Sequence, residues 1–64
     1  MSHFSTDLAI DNVIDTIADM SDIDVAKALN PANMTKVAGF TGDKDHGADI
    51  MGFARTVLSD QMLD

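Results

Sequence analysis

The chain has 64 residues, enough for one domain (1–64) with a core that seldom supplies more than ~3–5 kcal/mol. At 45% hydrophobic residues and a net charge of −7 it is too apolar for a disordered acidic tail, and no apolar run nears the ~20 residues that span a bilayer. It has no cysteine, which excludes a disulfide staple and a thiolate zinc site and leaves association with itself or a partner as the remaining common support for a small core.

MSHFSTD carries neither the basic stretch nor the apolar stretch of a secretion signal, so the expected location is the cytoplasm or a particle assembled there. All eleven acids are Asp, a mediocre residue for helix interiors because its short side chain competes for nearby backbone groups. Packing must therefore hold the helices more than propensity does.

In chain order, STDLAIDNVIDTIADM predicts a first helix with Ser5 or Thr6 as N-cap. Ile10, Val13, Ile14, Ile17 and Met20 share one face, while Asp7, Asp11, Asp15 and Asp19 recur every fourth residue on the other. Ser21 with Asp24 resembles a capping box and opens a short second helix that puts Ile23, Ala26 and Leu29 inward. Asn30-Pro31 closes it and opens a third, because Asn is a good N-cap and Pro fits the first helical position; Met34, Val37 and Ala38 are its apolar side. Gly39 and Gly42 end that helix.

A last helix is expected from about Asp45, capped by Asp45 with Asp49 in its first turn. Its main apolar face is Ile50, Phe53, Ala54 and Val57, with Met51, Leu58 and Met62 in a second lane beside it. The two lanes together are wider than the ~100° stripe a surface helix needs. The predicted architecture is an all-α compact bundle of two longer amphipathic helices flanking two short ones, with a core of Ile10, Val13, Ile14, Ile17, Leu29, Val37, Phe53 and Val57.

Three motifs invite chemical readings. GDKDHGAD (42–49) alternates aspartates as calcium loops do, but with Asp43 first, the sixth position is Ala48 rather than glycine and the twelfth is Ala54 rather than glutamate. The preferred reading of the loop is a capped helix entry with His46 as a lone surface histidine, and weak calcium binding by residues 43–49 is the third function considered, behind an interaction protein and an acidic inhibitor.

DVAKALNPANMTKV resembles a helix-turn-helix over about a third of the chain, with Ala26, Leu29 and Asn30 at the expected spacing. Proline stands at the apolar turn position, Val37 comes one residue late, and the second helix offers only Asn33, Thr35 and Lys36 to a nucleic acid. A net −7 repels phosphates, so no direct nucleic-acid binding is expected. Ser2, Ser5, Ser21 and Ser59 form no triad pattern with the two histidines, and the glycines form no phosphate loop.

The expectation is therefore a non-enzymatic interaction protein or assembly subunit, without metal, cofactor, membrane or small-molecule substrate. It would form a homo-oligomer or bind a protein partner through Phe40, Met51, Leu58 and Met62. The alternative is an acidic inhibitor, of a kind a phage or mobile element could encode, that docks Asp7, Asp11, Asp15 and Asp19 on a basic nucleic-acid-processing protein.

Overall fold

The computed structural model describes residues 3–64, with side chains from Ile10 onward. Four helices follow in order: α1 (His3–Asp19), α2 (Asp22–Ala28), α3 (Pro31–Ala38) and α4 (Ile50–Leu63). The described residues contain no strand, only an isolated bridge between Asp43 and Gly47. The fold is thus the expected all-α bundle, and α1, α2 and α3 each pack chiefly on α4. No helix among the described residues is long and apolar enough to cross a membrane.

Local chemistry accounts for most of the boundaries. Ser21 accepts from the Asp24 N–H at 3.2 Å, opening α2. Asn30 accepts from the Asn33 N–H at 2.8 Å, and Pro31 stands at the first position of α3. After α3 the Gly39 N–H returns to the Thr35 carbonyl and the Phe40 N–H to that of Val37, closing the last turn.

Two expected starts are corrected. Helix α1 begins at His3, so Ser5 and Thr6 lie within it. Helix α4 begins at Ile50 and is capped by Asp49, which accepts from the Gly52 N–H at 3.0 Å. Asp45 belongs to the preceding turn. There the Asp43 and Gly47 backbones bond in both directions, and Gly42 sits at φ +101°. A Cβ on Gly42 would lie 2.8 Å from the Gly47 carbonyl oxygen, so the turn requires glycine on both counts.

The core consists of Ile17, Val25, Leu29, Val37, Ala54, Val57 and Leu58, with Val13, Met20, Met51 and Phe53 packed partly against it. Ile17, Leu29, Val37 and Val57 were expected there. Ile14 was too, but it lies on the edge of the α1 face and is 50% exposed. Ile10 is half-buried.

Val25 of α2 and its C-cap residue Leu29, four residues apart, are buried, and Ile23 is turned out at 67% exposure. In α3 only Val37 is buried; Met34 and Ala38 are exposed. The reason is common to both: a helix of seven or eight residues offers one turn of contact to α4 and cannot bury two faces.

Candidate functional site

Helix α4 carries three polar ties, one at each corner of the chain. At the α1–α2 corner the Arg55 guanidinium donates to the Ile17 carbonyl at 3.3 Å and to the Met20 carbonyl, and meets the Asp22 carboxylate at 3.1 Å. Helix α1 has no basic residue in its last turn, so Arg55 supplies the cation there, gives the Met20 carbonyl a donor and adds a second to the Ile17 carbonyl, which also accepts from the Met20 N–H. The Asp22 contact adds little, because that carboxylate is largely in water.

At the α2–α3 corner one side chain serves three groups. Gln61 accepts from the Asn30 N–H and from the Asn33 amide and donates to the Ala28 carbonyl, each at 2.9 Å. The amide thereby satisfies a C-terminal carbonyl of α2 and holds the α3 cap in place.

At the α3–α4 corner Phe40 stacks on Phe53 with ring centroids 4.5 Å apart. His46 packs edge-on against Phe53 at 5.6 Å, with Nδ1 3.0 Å from Asp43 and Nε2 3.2 Å from the Thr56 hydroxyl. His46 is therefore an element of the corner and not a lone surface histidine.

Asp43 also accepts from the Asp45 and His46 N–H groups, at 2.9 and 2.6 Å. Backbone donation from His46 first, then its ring and the Asp45 N–H, hold the Asp43 carboxyl below its ordinary value of 3.8, against an opposing contribution from desolvation. The carboxylate that would begin a calcium loop is thus turned onto its own backbone. Among the described residues no three His, Cys, Asp or Glu side chains gather as a metal site.

The interface residues expected from the sequence are separated by the fold. Leu58 is 0% exposed at the centre of the core and is out of reach of any partner of the folded chain. Its lane is covered because three helices, not one, pack on α4. Met51 is partly buried against the same core and Phe40 lies on Phe53, while Met62 remains on the surface at 51% exposure with Leu63 beside it.

Of the expected acidic row, Asp11, Asp15 and Asp19 are exposed, and among the described residues they take part in no ion pair. The side chain of Asp7 lies outside the described residues.

A concavity of the described surface runs between α1 and α4. It is an open, mainly apolar groove of about 330 Å³, walled by Ile14, Ile17 and Ala18 of α1 and by Arg55, Thr56, Ser59 and Asp60 of α4. Sequence reasoning did not place a site here. The available signal was the extra apolar width of the α1 face at Ile14, which was assigned to the core.

No known protein family, curated protein or solved structure matches the chain.

Proposed function

We propose that this is a non-enzymatic interaction protein that works by binding other protein surface. The observation that carries this reading is the apolar side-chain surface the fold leaves outside itself. Ile14, Ile23, Met34, Ile50, Met62 and Leu63 are each at least 40% exposed, against a core of seven buried residues. That is a high ratio for a chain whose core is already close to the minimum for independent folding.

Two forms of association follow. In the first, copies of the chain assemble through the end of α4, where Met62 is the one residue of the expected lane that stays on the surface and the exposed Leu63 stands next to it. Light scattering across protein concentration and salt tests it. A discrete oligomer that persists at high salt, and that a Met62→Ser/Leu63→Ser double variant reduces to monomer, supports self-assembly; a monomer throughout counts against it. Salt has a definite sign here, because screening relieves repulsion between chains of net charge −7.

The second form is docking on a basic partner, and the exposed Asp11, Asp15 and Asp19 favour it. Like charges four residues apart cost about 0.2–0.5 kcal/mol per pair, so the row opposes folding unless another role retains it. This association weakens with salt, the opposite response to the first. The groove between α1 and α4, which Asp60 lines and whose α1 wall shares a helix with that row, makes the basic-partner form the better supported of the two.

A further inference from the structure

We propose that the α1–α4 groove seats a basic amphipathic helix of another protein, with an apolar side chain inserted beside Ile14 and lysines or arginines meeting Asp11, Asp15 and Asp60. The inference rests on the interaction reading above and specifies its site and the chemistry of its partner.

Three observations fix the occupant. The groove is lined mainly by carbon yet open to solvent, and Ile14 on its wall stays half exposed next to a closed core. At about 330 Å³ it is at the lower end of the ~300–1,000 Å³ of small-molecule sites, and its openness suits one or two inserted side chains better than an enclosed ligand.

The rim is acidic on both sides. Asp11 and Asp15 each lie one turn before a groove residue, Ile14 and Ala18 respectively, and positions three apart are neighbours on a helix surface. Asp60 belongs to the opposite wall. The one cation of the groove, Arg55, already bonds the end of α1, so the free charge presented to an incoming segment is negative.

A second copy of the chain is a poor occupant, since it brings the same acids and a net charge of −7. The described residues also offer no sheet edge for an extended peptide to join, which leaves insertion of a helix between two helices as the available recognition mode.

The test is fluorescence anisotropy with a labelled helical peptide of about 14 residues, leucines on one face and lysines on the rest. Two control peptides replace either the leucines by serine or the lysines by glutamate. The parent protein should bind the first peptide at least about tenfold more tightly than either control, with affinity falling as salt rises.

Ile14→Glu should weaken binding about tenfold although it adds negative charge, and Asp15→Lys should weaken it through charge alone. Both positions are exposed enough to leave the helical circular dichroism signal intact. Undiminished binding by Ile14→Glu, or equal binding of the serine control, overturns the groove as the seat. No binding of any peptide overturns the proposal. If the protein then still forms a discrete oligomer, the interaction reading survives this failure; a monomer that binds no peptide removes both.

Discussion

Helix α4 sends Arg55, Thr56 and Gln61 to groups between 10 and 38 residues away in the chain, whereas the described polar side chains of α1 bond no other described residue. Asp11, Asn12, Asp15, Thr16 and Asp19 are all exposed and form no side-chain hydrogen bond within the described residues. The two long helices share one interface and divide the work. One satisfies the backbone ends of its neighbours, and its substitution should act on folding. The other packs through Ile17 and Val13 and leaves a charged outer face whose substitution should act on association.

The largest effect expected on this comparison is at Leu58. Truncating a fully buried leucine costs about 2–5 kcal/mol, which approaches the whole stability of a domain this size. Leu58→Ala should be largely unfolded by circular dichroism at 25 °C, while Ile14→Ser, one helix away and half exposed, should shift the melting temperature only slightly. Comparable losses at the two positions would erase the distinction between an inner and an outer apolar lane.

Arg55 comes next. Arg55→Met keeps the stem but takes the donor from the Met20 carbonyl, at about 1–3 kcal/mol, and leaves the Ile17 carbonyl with the Met20 N–H alone. Arg55→Lys should recover only part of this, because an ammonium cannot copy the fork that reaches two carbonyls and a carboxylate. Full rescue by lysine in denaturant melts would show that charge at the end of α1, not the donor geometry, is what Arg55 provides.

How far these features were legible in the sequence depends on the range of the contacts that decide them. Ser21 and Asn30 act within three residues, and both caps were readable. Asp45 was expected to cap α4 with Asp49 in its first turn, and the cap is instead Asp49. What separates them is the Asp43 carboxylate, which takes the Asp45 and His46 N–H groups into a turn and leaves Asp49 free to start the helix.

Ile23 against Val25, or the two lanes of α4, are choices between apolar residues on one helix, and only the packing of three helices on α4 makes them. Arg55 and Gln61 gave no signal, since most of their partners are backbone groups about half a chain away. The groove was missed for a related reason. Ile14 looks like a core residue in any helical projection until α4 is seen to cover Ile17 and pass beside it.

The α3–α4 corner gives a smaller effect with a definite pH window. The Asp43 carboxyl titrates lower in the folded chain than in the unfolded one, so its contribution is complete above the ordinary value of 3.8 and is lost as pH falls through the folded value. Asp43→Asn should therefore be less stable than the parent at neutral pH, and the gap should close as thermal melts are taken below 3.8. A gap that persists unchanged in acid would mean that the turn is held by the backbone bridge to Gly47 and not by the carboxylate.

The smallest effect is the one that bears most on function. Asp15 stands four residues from both Asp11 and Asp19, so Asp15→Asn removes two like-charge pairs at about 0.2–0.5 kcal/mol each. The variant should melt slightly higher than the parent at low ionic strength, with the difference shrinking as salt screens the row. The same substitution should weaken the basic amphipathic peptide. A stability gain joined to a binding loss separates the two roles of α1, because a row kept only to solubilise the helix has no reason to favour a lysine-bearing ligand. A gain in stability with peptide affinity unchanged would instead confine the aspartates to solvation and leave the apolar wall at Ile14 as the only part of the groove that selects a partner.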